Sequence, residues 1–311
     1  MELIWTLILL SAGAAVGAAL LVRRGVWGLL RRVEPDPPQS PADYDLPFLE
    51  FRFPSRDGLQ LHGWFIPAED SSVAALDAAD WSDGSRGTVM FGHGRFGSKD
   101  PDLKYVPWLR RAGYNVFMFD FRAHGQSEGE HSTFGYLERL DLLGAVDFLR
   151  EREIERVGVL GFSLGGAVGI ATAGASESIA AVICDGGYAT LRRVVIEGSV
   201  ERGYPRPLAA LLAPLVIWAA SRRTGLDLAE AEPVHWVSKI SPRAVLFIHG
   251  GGDPYIPTRD VRRMHALAGE PKELWIVPEA GHRTVDEARP EEYQERVLAF
   301  FDRHLADDRG L

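Results

Sequence analysis

Residues 157–166 read VGVLGFSLGG, and this stretch decides how the rest of the chain folds. Its short run of branched apolar residues predicts a buried parallel strand that ends at Ser163, between Gly161 and Gly165. Residues 164–173 are rich in Ala, Gly and Ile and predict a helix that packs closely on the sheet. A G-x-S-x-G serine between a strand and a helix is held above the carboxyl edge of the sheet. The glycines fit this turn because a Cβ at either position would clash with the neighbouring backbone.

A second glycine-rich loop follows an earlier strand. Residues 88–91 (TVMF) predict a buried strand that ends in the loop 92–97 (GHGRFG). The backbone N–H groups of such a loop can point at an anion, as an oxyanion hole requires. We assign one donor to the N–H of Arg95, with that of Phe96 as the near alternative. The other donor is the N–H of Leu164, where the N-terminus of the predicted helix favours a negative charge.

Two later strands are followed by an aspartate and a histidine. Asp253 comes after the predicted strand 244–248, and His282 comes after the predicted strand 274–277. Because the carboxyl ends of parallel strands meet at one edge of a sheet, we expect both side chains to converge on Ser163. The order serine, aspartate, histidine is the one expected of a serine nucleophile on a parallel sheet. Asp185, at the end of the predicted strand 179–185, is the alternative acid.

Two further residues of interest are interpreted as structural. His124 lies in the loop after the predicted strand 115–120, beside Asp120 and Arg122. A histidine with such neighbours is typical of a hydrogen-bonded loop organiser rather than a catalytic base. Cys184 is interpreted as a core residue.

Strands and helices alternate along most of the chain. Residues 48–53 and 59–66 predict an antiparallel hairpin, residues 67–86 an acidic surface insertion, and residues 102–112, 134–152 and 290–305 helices. This alternation predicts an α/β fold with a mostly parallel central sheet and helices on both faces. Residues 186–241 interrupt it with a largely helical insertion. Its apolar run 208–220 is broken by Pro214 and is too short to cross a bilayer, so it predicts either core packing or a cap that walls an acyl chain.

The N-terminal residues predict a membrane anchor. The run that begins at Leu3 and ends at Val22 has twenty residues without a charge, enough to cross about 30 Å of hydrocarbon. A cleaved signal peptide is the rival, but its positive charges should precede the apolar run, and here arginines follow it. By the positive-inside rule these arginines place the body of the protein in the cytoplasm. We therefore divide the chain into an anchor with a basic flank (1–32), a Pro-rich extended linker (33–47) and one globular domain (48–311).

Composition excludes several classes of protein. A chain of 311 residues with 46% hydrophobic content can bury a sizeable core. The net charge of −9 and the lack of a basic stripe beyond the N-terminus argue against nucleic acid as a partner. Cys184 cannot form an internal disulfide, and no Cys/His spacing matches a zinc site, so we expect neither a metal nor a cofactor.

From residue 48 to the end, the chain resembles the α/β-hydrolase superfamily, and the sequence DFRAHGQS at 120–127 resembles its esterase-like bacterial members. The resemblance implies that Ser163 is the nucleophile, Asp253 the acid and His282 the base. It also implies that the N–H groups of Arg95 and Leu164 form the oxyanion hole. Arg95 departs from the family pattern, in which a small or polar residue is common, and such a side chain could reshape the mouth of the pocket.

These residues predict a serine hydrolase. His282 would take the proton of Ser163 as the hydroxyl attacks an acyl carbonyl, and Asp253 would orient the imidazole. The expected substrate is a small, hydrophobic carboxylic ester or thioester. A peptidase or amidase with the same three residues is one alternative. A catalytically silent, membrane-tethered binding protein on this fold is the other.

Overall fold

A computed structural model describes residues 1–69, 81 and 85–306 of the protein. Within these residues, eight strands form one sheet: β1 (Leu49–Pro54), β2 (Gln60–Ile66), β3 (Thr88–Gly92), β4 (Asn115–Phe119), β5 (Val157–Phe162), β6 (Ile179–Asp185), β7 (Ala244–Gly250) and β8 (Lys272–Val277). Their order across the sheet is β1-β2-β4-β3-β5-β6-β7-β8. The β1–β2 and β2–β4 pairs are antiparallel, and the other five neighbouring pairs are parallel.

Nine α-helices surround this sheet in the described part of the chain. They are α1 (Glu2–Leu30), α2 (Val106–Arg111), α3 (Glu138–Arg150), α4 (Leu164–Ala173), α5 (Leu191–Glu201), α6 (Arg206–Thr224), α7 (Thr258–Leu267), α8 (Val285–Ala288) and α9 (Pro290–His304). The helices α5 and α6 lie in the predicted insertion between β6 and β7.

Both faces of the sheet are covered. Every residue of the five strands from β3 to β7 is buried, as parallel strands with helices on both sides should be. One apolar cluster joins one face to α3, α4 and α7 through Leu142, Val168 and Met264. A second joins the other face to α2 and α9 through Leu109 and Phe300. The predicted fold class is therefore confirmed.

Two predicted helices are shorter than the sequence indicated. The helix predicted from residue 134 begins at Glu138, because the Glu138 carboxylate accepts hydrogen bonds from Ser132, Thr133 and Gly135 and holds that loop open. The residues 102–112 form a 3₁₀ helix, Asp100–Tyr105, followed by the short α2. Most of the acidic insertion predicted at 67–86 lies outside the described residues.

The interpretation of Pro214 as a helix breaker is wrong. The helix α6 is continuous over nineteen residues, with Pro214 in its interior. A proline removes one intrahelical hydrogen bond and costs about 3 kcal/mol in an isolated helix. Here the helix packs along α1 and α5, and the buried residues Ala213, Val216 and Ala220 favour the helical conformation despite that cost.

The segment 33–47 is only partly extended, because Pro41–Tyr44 form a 3₁₀ helix, and the segment packs on the domain. Val33 and Leu46 are buried, and the N–H of Val33 donates to the carbonyl of Ala123 at 3.0 Å. The Asp36 carboxylate accepts a 2.7 Å hydrogen bond from the N–H of Ser98. The expectation that this segment lies outside the core rested on its polar composition, and it was wrong. Its few apolar residues are buried, and its Asp36 carboxylate binds a specific N–H group of the domain.

The helix α1 has two parts. Its first twenty residues are almost wholly exposed, whereas Val26, Leu29 and Leu30 are buried against the domain. The second part lies along α6, where a Cβ added to Gly25 would press on the side chain of Val216. Among the described residues, α1 is the one helix long and apolar enough to cross a membrane, with a mean hydropathy of 2.1 in its most apolar window.

Candidate active site

Ser163 lies in the tight turn between β5 and α4. Its backbone has φ 51° and ψ −108°, in the left-handed half of conformational space that a side chain disfavours. The N–H of Ser163 donates to the carbonyl of Asp185 at 2.8 Å, which fixes the turn to the end of β6. A Cβ on Gly161 would lie 2.5 Å from the carbonyl oxygen of Gly165, and one on Gly165 would overlap the backbone of Gly92. The glycines therefore allow the close approach of three backbone segments, as the sequence predicted.

The structure brings Ser163, His282 and Asp253 together. His282 Nε2 lies 3.1 Å from the Oγ of Ser163, and His282 Nδ1 lies 2.6 Å from the Oδ2 of Asp253. The Asp253 side chain is fully buried, and its Oδ1 accepts hydrogen bonds from the N–H groups of Tyr255 and Ile256 at 2.8 and 2.9 Å. These bonds orient the carboxylate toward the imidazole, so that Nδ1–H of His282 donates to it and Nε2 is left to accept the hydroxyl proton.

The two residues of the predicted oxyanion donors line the same cavity as the serine. Leu164 is the first residue of α4, so its N–H has no acceptor within the helix. Gly94, Arg95 and Phe96 border the cavity that Ser163 also lines. In the described residues no hydrogen bond from the N–H of Leu164 or of Arg95 is present. Both groups are therefore free to donate to a ligand.

His93 holds the loop that carries Arg95. Its Nε2 accepts from the N–H of Phe121 at 2.9 Å, and its Nδ1 lies 2.7 Å from the carbonyl of Gly94. This pairing suits the neutral imidazole with its proton on Nδ1. Complete burial lowers the pKa of His93 to about 3, which keeps the ring neutral. The carbonyl of His93 in turn accepts from the N–H of Gly165 at 3.1 Å and joins the loop to α4.

The Arg95 side chain makes contacts that sequence reasoning missed. It is buried, and its Nη2 donates to the carbonyl oxygens of Leu29 and Arg31 at 3.1 and 2.9 Å, at the C-terminal end of α1. The guanidinium carbon also lies 5.1 Å from the ring centre of Phe134. Burial lowers the pKa of Arg95 to about 10, so the group remains charged at neutral pH. The side chain of Arg95 thus reaches α1, while its backbone N–H has no hydrogen-bond partner among the described residues.

Two residues that the sequence offered as possible catalytic groups, His124 and Asp185, bond to other parts of the protein instead. His124 is buried, with Nδ1 2.7 Å from the carbonyl of Arg122 and Nε2 2.9 Å from the carbonyl of Arg95. It organises the loop, as interpreted. Asp185 is not paired with His282; its Oδ2 accepts from the hydroxyl of Tyr293 at 3.0 Å, and burial raises its pKa to about 6.

Arg283, directly after His282, is a second residue that the sequence did not indicate. Its φ is 56°, and its guanidinium forms an ion pair with the buried carboxylate of Asp102 and lies 4.5 Å from the ring centre of Phe162. These contacts anchor the backbone next to the imidazole. A positive φ and an ion pair with a residue 181 positions away leave no local signal in the sequence.

A cavity of about 460 Å³ opens above the serine. Its floor is formed by the turn of Ser163, and α5 and α6 form one side. The apolar run in α6 contributes Leu208, Leu212 and Val216 to this wall, whereas Trp218 is exposed on the outside of the helix. The second part of α1 forms a further wall, which was not predicted.

In the described ranges no cluster of three or more His, Cys, Asp or Glu residues could hold a metal ion. Cys184 is buried beside Gly166 and Gly187, and burial raises the pKa of its thiol to about 12. It has neither the exposure nor the thiolate character of a reactive cysteine.

The sheet order, with a serine on the turn after β5 and a histidine after β8, defines an α/β hydrolase. Residues 89–296 match the Alpha/beta hydrolase family, and the chain belongs to that family. It is 32% identical over 257 residues to the protein YfhR of Escherichia coli O157:H7, covering 80% of this chain and 78% of YfhR. It is 27% identical over 256 residues to YqkD of Bacillus subtilis, covering 81% of this chain and 78% of YqkD.

A solved structure has the same fold. The esterase Pf2001 of Pyrococcus furiosus superimposes with a TM-score of 0.69 at 24% identity, covering 88% of this chain and all of that one. The likeness in fold extends beyond the sheet to most of the chain.

Proposed function

We propose that the protein is a serine hydrolase that cleaves a carboxylic ester or thioester through an acyl-enzyme on Ser163. The observation that carries this proposal is the unbroken hydrogen-bonded series from Asp253 through His282 to the serine hydroxyl. Family membership and the free backbone N–H groups beside the hydroxyl support it.

In the first half of the reaction, Ser163 Oγ attacks the acyl carbonyl carbon while Nε2 of His282 takes the hydroxyl proton. The carbonyl oxygen becomes an oxyanion, and the N–H groups of Leu164 and Arg95 would donate to it. The imidazolium then passes its proton to the leaving alcohol or thiol as the bond to the acyl carbon breaks. The buried Asp253 carboxylate stabilises the imidazolium throughout.

In the second half, a water molecule attacks the acyl-enzyme. His282 takes a proton from this water, the bond between Ser163 and the acyl carbon breaks, and the imidazolium returns the proton to Oγ. The sum is ester plus water giving acid plus alcohol, and the enzyme is regenerated.

We also propose that α1 tethers the hydrolase to a membrane and faces its body to the cytoplasm. Four arginines follow the uncharged run, at positions 23, 24, 31 and 32. A cleaved signal peptide is disfavoured because its positive charges should precede the apolar run, and here the arginines follow it. Intact mass of protein extracted from membranes tests this: a chain that starts after residue 22 would contradict the anchor.

The hydrolase proposal is tested with purified full-length protein. Ser163→Ala should abolish both turnover of p-nitrophenyl butyrate and labelling by a fluorophosphonate probe, because both require the hydroxyl. The exposed Ser238 offers a matched control, and Ser238→Ala should leave both unchanged. Hydrolysis that persists in Ser163→Ala would refute the assignment.

The same measurements separate the alternatives. Folded protein that takes no fluorophosphonate label would indicate a silent binding protein. A label with turnover of p-nitroanilide peptides, but none of esters, would indicate a peptidase or amidase. The apolar α6 wall favours an acyl chain over a polar peptide backbone.

A further inference from the structure

We propose that the substrate is a long-chain acyl ester with a negatively charged head group, and that it enters the cavity directly from the bilayer. This proposal rests on the proposed function, since it names the substrate class of the same site. Four observations carry it: the position of α1, the space beside its Gly28, the exposed apolar face of α6, and the charges of the cavity.

The anchor helix connects the bilayer to the serine. Leu21 belongs to the uncharged run that would cross the membrane, and it also lines the cavity that contains Ser163. From Leu21 to Leu29 the helix wall of the cavity is about 12 Å long at about 1.5 Å per residue. An acyl chain that moves along this wall passes from lipid to the serine without crossing water, so its transfer costs little hydrophobic free energy.

Gly28 of α1 leaves room for such a chain. A Cβ placed on Gly28 would have no atom within 4 Å, although Gly28 lines the cavity. On the other side of the space stand Leu212 and Val216 of α6 and Val195 of α5. The side chains across this space are therefore apolar, as a hydrocarbon chain requires.

The outer face of α6 is apolar although it is exposed. Leu211, Leu215 and Trp218, spaced for one helix face, are 70%, 47% and 63% exposed, and Trp27 of the neighbouring α1 is 65% exposed. The two helices are antiparallel, since Gly25 of α1 lies against Val216 of α6 and the earlier Ala19 and Val22 of α1 share a groove with the later Ala219 and Arg223 of α6. The C-terminal part of α6 thus lies at the level where α1 leaves the bilayer. Its apolar face is suited to rest on the membrane surface.

The charges of the cavity favour an anion. Among the described residues, the cavity is lined by one carboxylate, that of Glu201, and by five arginines, at positions 24, 31, 95, 202 and 283. The protein as a whole has a net charge of −9. Arg95 and Arg283 bind protein groups. Arg24 makes no hydrogen bond or ion pair within the described residues, so it is free to bind a phosphate or carboxylate near the membrane surface.

The reaction is the one already written, with the lipid as the ester. The bond between the acyl carbon and the ester oxygen breaks, the head-group alcohol leaves with that oxygen and a proton from His282, and water then releases the acyl group from Ser163 as the fatty acid. No further reactant is required.

Full-length protein in phosphatidylcholine vesicles tests the proposal by its release of palmitate from two lipids. We expect kcat/KM for 1-palmitoyl-lysophosphatidylglycerol to exceed that for 1-palmitoyl-lysophosphatidylcholine by about tenfold, because the head group differs in charge. Arg24→Gln should reduce this preference by at least about threefold. Arg23→Gln is the matched control, since Arg23 adjoins it but does not line the cavity, and it should keep the preference.

A second pair of variants tests the path of the chain. Gly28→Leu fills the space beside α1 and should lower the ratio of kcat/KM for palmitoyl over acetyl p-nitrophenyl esters by about tenfold or more. Gly17→Leu makes the same change on the same helix, away from the cavity, and should not alter the ratio. Both proteins must insert into vesicles equally.

The outcomes distinguish the two proposals. Protein that hydrolyses no ester, short or long, and takes no fluorophosphonate label contradicts the hydrolase itself. Protein that hydrolyses p-nitrophenyl acetate but prefers neither lipids nor negative charge, or whose chain-length ratio is unmoved by Gly28→Leu, contradicts the bilayer substrate alone.

Discussion

The Arg95 guanidinium donates to the main-chain carbonyl of Leu29 at 3.1 Å and thereby joins the proposed oxyanion loop to the end of the anchor helix. The last carbonyls of a helix have no partner within it, so a buried helix end needs donors from elsewhere. Arg95 supplies them, and its own backbone N–H is one of the two proposed oxyanion donors. The position of that N–H therefore depends on the position of α1.

Arg95→Met should impair both stability and catalysis. The carbonyls of Leu29 and Arg31 would lose a buried donor, at a cost of about 1–3 kcal/mol in the free energy of unfolding. With the loop less constrained, kcat for p-nitrophenyl butyrate should fall by about tenfold or more, with KM changing less. Urea unfolding and steady-state kinetics measure the two effects.

The control for this change is Arg111→Met, which removes an exposed arginine at the end of α2. It should alter neither quantity. If Arg95→Met lowers stability but leaves kcat intact, Arg95 only caps the helix and does not position the loop.

Asp253→Asn should lower kcat by about 10³–10⁴, because an amide in place of the carboxylate favours the wrong tautomer of His282. Asp185→Asn is the matched control at the competing position. The Asp185 carboxyl bonds to Tyr293 and is not paired with the imidazole, so this variant should keep kcat within about threefold. The reverse order of the two effects would show that Asp185 is the acid.

The sequence predicted the strand ends better than the helix packing. Ser163, Asp253 and His282 each follow a buried strand, and parallel strands deliver their carboxyl ends to one edge regardless of what covers the sheet. The apolar run before Val22 shows only that α1 can cross a bilayer. It does not show that the next turns of the helix wall the cavity, because that depends on contacts with α6, which is nearly 200 residues away.

The contacts of polar side chains outside the strand ends were the feature that the sequence predicted least well. Arg95 was expected to affect the pocket mouth, yet its side chain turns toward α1. Arg283 pairs with Asp102 across the fold, and Glu138 delays the start of α3 by binding a loop. Each contact joins segments distant in sequence, and no periodicity or local spacing records it.

His93 should make stability depend on pH. Burial lowers its pKa to about 3, below the value of about 6.5 for a free imidazole, so between these values the unfolded chain binds a proton that the folded chain does not. The contribution of His93 to the free energy of unfolding is complete above about pH 6.5. It is lost as the pH falls toward 3, by up to about 1.4 kcal/mol per pH unit. Urea unfolding at pH 7.5, 6 and 5 measures the slope.

His93→Gln should lower the slope of unfolding free energy against pH by the amount that corresponds to nearly one bound proton. A glutamine can still donate to the carbonyl of Gly94 and accept from Phe121, but it does not titrate. His131→Gln changes an exposed histidine and should retain the wild-type slope. An unchanged slope in His93→Gln would mean that other groups cause the acid sensitivity.

Two truncations should separate the anchor from the active-site wall. Deleting residues 2–20 removes exposed helix and should leave kcat/KM for p-nitrophenyl butyrate within about threefold in detergent-free buffer. Deleting residues 2–32 also removes the buried Val26, Leu29 and Leu30, each worth about 1.5–3 kcal/mol, and the acceptors of Arg95. This longer deletion should lower the free energy of unfolding by several kcal/mol and abolish most turnover. Equal activity and stability in the two chains would show that α1 is a tether alone and forms no part of the catalytic body.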